Sequence, residues 1–442
     1  MKRPVIQARS LTLWQARAFF SMAGLYLFYY FGKKNIGPAT KAIEDAFGLG
    51  HQQFGWALTA FTLTYALGQF INGFLGDRYS PKRIMLIGAL GGMAANLLFG
   101  LGNTLVLFVI FWAINGYFSA MGWAPGCRIL CNWFPEKRWG WWMGLYNFFP
   151  YFGGALVVPV AAWSVNRWGW RGAFFLPPFF LLLMAVAFAF LGKSSPEQAG
   201  VRTPWHNRRR GDSKKRTGAQ EYWQAFAHRG MAFPYAVAFG ANAIRWGLLH
   251  WSVMILETPV HDGGFGLPLT QSGWVGSLVD WGGMFFAVAL GLVSDRLFRG
   301  RRWQTIVLSM ALTGANLFFL ARGASILALP AGMFLLCATV FVAGGLIQGI
   351  HTPLFCLPGD ILGQELSGTG AGIMDGWMYV GASLAGFPLG WWLDTYGLSS
   401  GIALLGLASL VFGLLAIGIR RPNDSALEVK NALPMEVSEQ VV

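Results

Sequence analysis

Twelve mostly apolar runs, each near 20 residues long, recur along the whole chain. A helix of about 20 residues crosses the hydrocarbon core of a bilayer, so each run predicts a transmembrane helix. Hydrophobic residues make up 55% of the chain and charged residues only 12%, too few charges to cover a soluble protein. We therefore expect an all-α, multi-pass membrane protein surrounded by the lipid bilayer. The predicted spans cover residues 15–36, 52–76, 84–103, 105–131, 139–163, 172–192, 232–256, 272–293, 304–321, 329–352, 367–391 and 399–419.

Two short strings nearly repeat each other half a chain apart. Gly73-Phe74-Leu75-Gly76-Asp77-Arg78 is matched by Gly291-Leu292-Val293-Ser294-Asp295-Arg296, and the two aspartates are 218 positions apart in a chain of 442 residues. Each string closes an apolar run and opens a basic loop. A repeat of this size in a membrane protein predicts two structurally similar halves with a functional site between them.

The repeat and the longest polar stretch divide the chain into four segments. We predict an N-terminal six-helix bundle over 1–192, a basic cytoplasmic linker over 193–230, a C-terminal six-helix bundle over 231–421 and a disordered cytoplasmic tail over 422–442. The linker contains two basic runs, so we expect a flexible tether whose charge suits anionic lipid headgroups.

The net charge of +14 is distributed unevenly along the chain. Most lysines and arginines fall in loops on one side, and the loops on the other side contain only Lys41, Arg167, Arg171 and Arg322. Positive residues are retained on the cytoplasmic side of a membrane, so both termini are predicted to be cytoplasmic. The basic charge thus sets orientation, and we expect no nucleic-acid partner.

Two cations inside the predicted spans are the strongest candidates for function. Ionisable groups within a membrane are costly and mark functional sites by default. Lys33 in span 1 and Arg245 in span 7 occupy near-equivalent places in the two halves, so they are expected to face each other across the central axis. Facing cations repel unless an anion lies between them, which predicts a site for a dianion such as a phosphate ester. The alternative is that each pairs with a protein carboxylate, Asp280 or Asp375.

Other polar side chains fall on the same helix faces as these cations. Tyr26, Tyr30 and Lys33 are spaced i, i+4 and i+7, which places them on one stripe of span 1. Similar spacings pair Asn242 with Arg245 on span 7, Asp375 with Tyr379 on span 11, and Tyr65 with Gln69 on span 2. Polar groups from both halves are therefore expected to converge on one central pocket.

The duplicated strings resemble the loop 2–3 motif of the major facilitator superfamily and its weaker copy in loop 8–9. That resemblance covers the whole chain and implies twelve helices in two pseudo-symmetric six-helix bundles that work by alternating access. An acid at such a position can cap a neighbouring helix in one conformation and release it in another. We expect a gating motif formed by Asp77, Arg78, Arg128, Asp295 and Arg296.

A narrower resemblance links the chain to the organophosphate:phosphate antiporters, the group of glycerol-3-phosphate and hexose-phosphate transporters. It rests on Tyr29-Tyr30-Phe31-Gly32-Lys33-Lys34-Asn35, on Met121-Gly122-Trp123-Ala124-Pro125, and on Asn147 with Gly153-Gly154. The resemblance implies that Lys33 and Arg245 take the places of two phosphate-binding arginines. It also implies pocket positions for Tyr26, Tyr30, Trp123, Asn147 and Tyr379.

The chain departs from that group at three places. Lys33 replaces an arginine, so a point charge stands in place of a two-pronged donor. Gln69 and Pro150 stand where the glycerol-phosphate members have a lysine and a histidine. The pocket is therefore less positive and lacks that titratable group, which leaves a carboxylate substrate open as well.

These observations support three hypotheses. The first is an exchanger of organophosphate and inorganic phosphate in a bacterial inner membrane, working as a monomer. The second is a proton-coupled symporter of organic anions, in which Asp280 or Asp375 titrates; His250 and His351 are further candidates, although packing is the better interpretation for both. The third is a transporter-like sensor of a sugar phosphate. The spans contain no apparent nucleophile–base pair or metal cluster, so we predict neither an enzyme nor a cofactor.

Overall fold

A computed structural model describes residues 8–135, 139–201 and 218–419. Regular structure in those ranges is helical throughout, which agrees with the predicted all-α class. The α-helices are α1 (Ala8–Tyr29), α2 (Thr40–Phe47), α3 (His51–Arg78), α4 (Pro81–Leu101), α5 (Leu105–Ser119), α6 (Trp123–Trp133), α7 (Trp139–Trp168), α8 (Gly172–Leu191), α9 (Gly218–Phe226), α10 (Ala232–Glu257), α11 (Leu269–Leu292), α12 (Arg302–Leu320), α13 (Gly332–Gly349), α14 (His351–Ala382), α15 (Phe387–Tyr396) and α16 (Leu398–Leu415).

Eight helical stretches in the described ranges are long and apolar enough to cross a membrane. They correspond to predicted spans 3–6, 8–10 and 12. The remaining predicted spans are α1, α3, α10 and the stretch from the second part of α14 through α15. These four contain most of the polar residues assigned to the central pocket. The chain is a multi-pass membrane protein, as predicted.

Helix α14 contains a reversal of the chain rather than one straight span. A Cβ added at Gly370 would lie 3.2 Å from the Pro358 side chain, which is twelve residues earlier. In a straight helix those positions are about 18 Å apart, so the chain folds back between Leu362 and Gly370. Predicted span 10 therefore continues past residue 352, and predicted span 11 begins after the reversal.

Span 1 ends earlier than predicted. The α-helix stops at Tyr29, and Tyr30–Gly32 form a 3-10 turn, whereas the prediction placed residues up to 36 in the span. The reason is side-chain competition for the backbone. The Gly32 carbonyl accepts hydrogen bonds from Asn96 Nδ2 at 3.0 Å and from Asn115 Nδ2 at 2.7 Å. These amides hold the turn from which Lys33 projects.

The two halves contact each other at one end of the molecule. This end has the loops over residues 37–50 and 258–268 and is called the outer end, following the predicted orientation. A Cβ added at Gly55 of α3 would lie 2.8 Å from backbone atoms of Gly386, which precedes α15. Thr59 Oγ1 donates to the Ser383 carbonyl at 2.9 Å and accepts from the Phe387 N–H at 2.8 Å. The outer end is therefore closed between the halves.

The ends of the predicted linker are packed, so the expectation of a flexible tether is wrong for them. The Ser194 carbonyl accepts from Asn132 Nδ2 at 3.0 Å, and the Ser194 hydroxyl lies 3.0 Å from the Ser80 hydroxyl. At the other end, Tyr235 Oη donates to the Ala225 carbonyl of α9 at 3.0 Å. Both basic runs of the linker, over 208–210 and 214–216, lie outside the described residues.

Candidate functional site

Lys33 lies inside a cage of tyrosine rings. Its ammonium is 4.6 Å from the ring centre of Tyr65, 4.8 Å from that of Tyr30 and 5.5 Å from that of Tyr26. The ammonium also donates to Tyr65 Oη at 3.3 Å, and the side chain is only 2% exposed. Ring faces stabilise a cation without neutralising it, so the charge of Lys33 remains available to an anion.

Further aromatic residues extend this cage toward both halves. On one side Tyr26 stacks on Tyr146 with ring centres 5.1 Å apart, and Tyr146 stacks on Trp123 at 5.3 Å. On the other side Tyr65 stacks on Tyr379 of the C-terminal half at 4.1 Å. The structure thus brings together the predicted pocket aromatics, and the contact with Tyr379 crosses between the halves.

Arg245 is held from its own half by neutral groups. Its Nε donates to Gln348 Oε1 at 3.2 Å, and its Nη1 lies 3.5 Å from Asn242 Oδ1. Gln348 and Asn242 are themselves fixed, because they donate to the Val279 and Met378 carbonyls, each at 2.7 Å. The guanidinium is therefore oriented without being neutralised.

Neither central cation has a carboxylate partner within 4.0 Å among the residues that the structure describes. Lys33 and Arg245 are nevertheless close enough for their charges to interact. The alternative that each cation is neutralised by a direct protein carboxylate does not hold in this conformation. An arrangement of two unneutralised buried cations is suited to binding an anion.

Asp280 forms an ion pair with Lys34, a residue for which the sequence predicts no role. Its Oδ1 lies 2.6 Å from the Lys34 ammonium, and the side chains are 1% and 4% exposed. The alternative that Asp280 pairs directly with Lys33 or Arg245 is therefore corrected: its direct partner is Lys34. The physical reason is the break in span 1, which directs Lys33 and Lys34 to different neighbours. A charged lysine inside a membrane is costly without a partner. The presence of Lys34 in span 1 therefore indicated that a carboxylate should lie close to it.

Among the described side chains, Asp375 is the other carboxylate of the central region. It lies one helical turn from Tyr379 on the same face of α14 and is half-buried. The described residues form no hydrogen bond or ion pair with it, but its charge interacts with those of both Lys33 and Arg245. Gly372, on the same face and nearer the inner end, is exposed. Asp375 therefore lies nearer the inner end than Tyr379.

The other residues predicted for the pocket or for proton coupling are Gln69, Asn147, His250 and His351. Gln69 and Asn147 are half-buried on α3 and α7, without side-chain hydrogen bonds to described residues. His351 Nδ1 lies 3.0 Å from the Gln348 carbonyl, and the His250 ring packs 4.9 Å from the Trp246 ring. Among the described residues, no three His, Cys, Asp or Glu side chains form a group suited to a metal ion.

The described residues include the gating motif of the C-terminal half. Asp295 forms an ion pair with Arg302, whose Nη1 also donates to Ser294 Oγ at 2.9 Å. Arg296 and Arg128 are exposed. The side chains of Asp77 and Arg78 lie outside the described residues, so their interactions remain a prediction.

A family model described as the Major Facilitator Superfamily matches residues 22–382. The chain belongs to this superfamily. The solved structures agree with its fold: a nucleoside transporter matches with a TM-score of 0.72 over 92% of this chain and 100% of its own, at 11% identity. A bacterial homologue of the human lysosomal transporter Spinster, in an inward-facing conformation, matches with a TM-score of 0.66 over 92% and 95%, at 14% identity.

Curated relatives of this superfamily member agree with the narrower resemblance. A probable hexose phosphate transport protein of Chlamydia pneumoniae is 26% identical over 90% of this chain and 89% of its own. The membrane sensor protein UhpC of Escherichia coli is 26% identical over 89% of each chain. A glycerol-3-phosphate transporter of Bacillus subtilis is 25% identical over 89% of each chain. The resemblance to the organophosphate:phosphate antiporter group is thus confirmed.

Proposed function

We propose that this protein exchanges a small organophosphate for inorganic phosphate across a bacterial inner membrane. The observation that carries the proposal is the pair of buried cations, Lys33 and Arg245, which come from different halves and have no carboxylate partner within 4.0 Å in the described part of the chain. Relatives named as hexose phosphate and glycerol-3-phosphate transporters match most of the chain and support a phosphate ester as the solute. In this proposal, one multi-pass chain carries out transport as a monomer.

The two cations have different chemical tasks. Lys33 offers a compact charge that can approach any oxygen of a phosphate group. Arg245 offers a planar donor fork, held in orientation by Gln348 and Asn242, that can bind two phosphate oxygens at once. The surrounding tyrosine rings supply an amphipathic wall for the carbon part of the solute.

The positions of Lys33 and Arg245 in different halves couple binding of the anion to movement of the halves. A phosphate dianion between Lys33 and Arg245 removes their mutual repulsion and draws the halves together. The empty pocket keeps that repulsion, which opposes the reorientation of an unloaded carrier. Because the outer end is closed in the described conformation, a transport cycle must break the contacts of α3 with the segment around Gly386.

The proposal is tested with purified protein in liposomes loaded with unlabelled phosphate. We expect saturable uptake of labelled phosphate that requires internal phosphate and does not require a proton gradient. Lys33→Ala and Arg245→Ala should each abolish the exchange, whereas Arg167→Ala, an exposed control, should retain it. Uptake that depends on a proton gradient instead would favour the symporter hypothesis, and uptake that survives both variants would contradict the proposal.

A membrane sensor is the second candidate, because a protein named as such matches as much of the chain as the transporters do. A sensor would bind the anion through the same two cations but move little of it. Binding of labelled phosphate by the purified protein without measurable exchange in liposomes would favour this function. Co-purification with a membrane kinase would support it further.

A further inference from the structure

The carboxyl group of Asp375, which has no hydrogen-bond or ion-pair partner among the described residues, points to a substrate that carries a positive charge as well as its phosphate. This inference deepens the proposed function, because it uses the same pocket and the same two cations. Asp375 and Tyr379 share one face of α14, and Tyr379 stacks on Tyr65, whose hydroxyl accepts from Lys33. The carboxyl group therefore lies beside the cationic pocket, on its inner side.

The charges of the pocket can be counted from the described contacts. The Lys34–Asp280 pair is neutral as a unit. Lys33 and Arg245 contribute two positive charges, and Asp375 contributes one negative charge when ionised. A pocket with one net positive charge is balanced by a ligand with one net negative charge. A simple alkyl phosphate dianion would leave the Asp375 charge uncompensated and close to the phosphate, at an energetic cost in a poorly solvated site.

A phosphate ester with an ammonium group satisfies every charged side chain of this pocket. Its phosphate lies between Lys33 and Arg245, and its ammonium donates to Asp375. The tyrosine rings that surround the pocket also favour a cation on their faces. We propose that the transported organophosphate belongs to the amine-bearing phosphate esters, with Asp375 as the residue that selects for the amine.

Competition against labelled phosphate on the purified, full-length protein tests this inference. Phosphoethanolamine and ethyl phosphate have the same carbon body and differ in the ammonium group. At pH 8 we expect phosphoethanolamine to compete at least about tenfold more strongly, because a charge-assisted hydrogen bond to a carboxylate contributes a preference of that order. Asp375→Asn should bring the two competitors to within about twofold of each other.

Asp360→Asn, which lies in α14 before the chain reversal, is the control. Asp360 is an exposed carboxylate 3.7 Å from Arg302, and its variant should keep the preference for phosphoethanolamine. Equal competition by both esters in the wild-type protein would overturn the inference, as would a preference that survives Asp375→Asn. Wild-type binding of both esters that changes equally with pH, with that pH dependence lost in Asp375→Asn, would also overturn it and would assign the carboxyl group to proton transfer.

The experiments distinguish a wrong assignment of the amine from a wrong assignment of phosphate exchange. Binding of phosphate with no preference for phosphoethanolamine refutes only the assignment of the amine. Absence of phosphate binding refutes phosphate exchange, and direct binding of labelled phosphoethanolamine to wild type and Asp375→Asn then decides the role of Asp375 by itself.

Discussion

The Lys34 ammonium and the Asp280 carboxylate form a 2.6 Å ion pair that joins the two halves of the protein at its centre. Lys34 follows the 3-10 turn at the end of α1, and Asp280 lies in the middle of α11. Both are almost completely buried. The pair thus provides a neutral contact between the halves beside the two unneutralised cations, and it leaves Lys33 and Arg245 available to the anion.

The first prediction concerns this pair. Lys34→Met or Asp280→Leu alone leaves one buried charge unpaired, which costs about 3–5 kcal/mol of stability. The double variant Lys34→Met/Asp280→Leu removes both charges, so its thermal stability should return close to that of the wild type. Thermal unfolding of the three purified variants measures this. A double variant as unstable as the two single variants would contradict the pairing.

The second prediction concerns Asp394, which caps the beginning of α3 from the other half. Its carboxylate oxygens accept from the His51 N–H at 3.0 Å and from the Gln52 N–H at 2.7 Å. Loss of such a cap costs about 0.5–2 kcal/mol, so Asp394→Ala should shift the equilibrium toward an outward-open form by roughly 2–30-fold. Spin labels at positions 46 and 261, both exposed at the outer end, should report a larger population of long distances.

Thr395→Ala is the control for that experiment. The Thr395 hydroxyl is exposed and donates only within its own helix, to the Trp391 carbonyl at 2.8 Å. Its variant should keep the wild-type distance distribution. An unchanged distribution in Asp394→Ala would show that the cap does not contribute to closure of the outer end.

The third prediction concerns pH and the Glu44–His51 pair, which precedes predicted span 2 at the outer surface. Burial raises the pKa of Glu44 above its ordinary 4.5 and outweighs the hydrogen bond from His51. Burial acts to lower the pKa of His51, but the bond to Glu44 at 2.9 Å and the nearby charges of Glu44, Asp394 and Asp45 raise it above 6.5 overall. Both groups therefore bind protons more tightly in the folded protein.

Because both pKa values are raised in the folded protein, its stability falls as the pH rises. The His51 contribution is fully present below pH 6.5 and is lost as the pH rises through its raised folded-state pKa. Raising the pKa of Glu44 makes folding less favourable as the pH rises above 4.5, in the same direction. We expect thermal stability to fall between about pH 5 and pH 8 in the wild type, and less so in the Glu44→Gln/His51→Gln variant. Equal slopes in both proteins would contradict this assignment.

The fourth prediction uses the close backbone contact at the outer end. A methyl group at Gly55 would lie 2.8 Å from the Gly386 carbonyl, a contact too short to be accommodated without movement. Gly55→Ala should therefore favour the outward-open form in the spin-label measurement and slow phosphate exchange. Gly144→Ala is the matched helical control, because its methyl group would meet no atom within 4 Å. Similar behaviour of the two variants would refute the proposed role of this contact.

Much of the fold could be predicted because a membrane imposes strong rules. Runs of apolar residues determine spans, and the repeated aspartate strings indicate two related halves. The central pocket could be predicted in part, since Lys33, Arg245 and their aromatic neighbours are unusual within a span. The helical spacing of Tyr26, Tyr30 and Lys33 led to the right cluster even though Lys33 lies beyond the end of the α-helix.

The parts that escaped prediction depend on contacts between distant helices. The unwinding after Tyr29 requires Asn96 and Asn115 from two other helices to bond the Gly32 carbonyl. The orientation of Arg245 depends on Gln348, which lies about a hundred residues away and carries no charge to draw attention. Periodicity describes one helix at a time, so it cannot show which polar groups of neighbouring helices meet.

Binding of labelled phosphate to Lys33→Ala, Arg245→Ala and the double variant tests the central claim most directly. If both cations hold the same anion, each single variant should weaken binding by about 10–100-fold, and the effects should be coupled, with the double variant losing less than the product of the two. The exposed control Arg167→Ala should bind as the wild type does. Wild-type affinity in either central variant, or fully independent effects of the two, would contradict an anion held between Lys33 and Arg245.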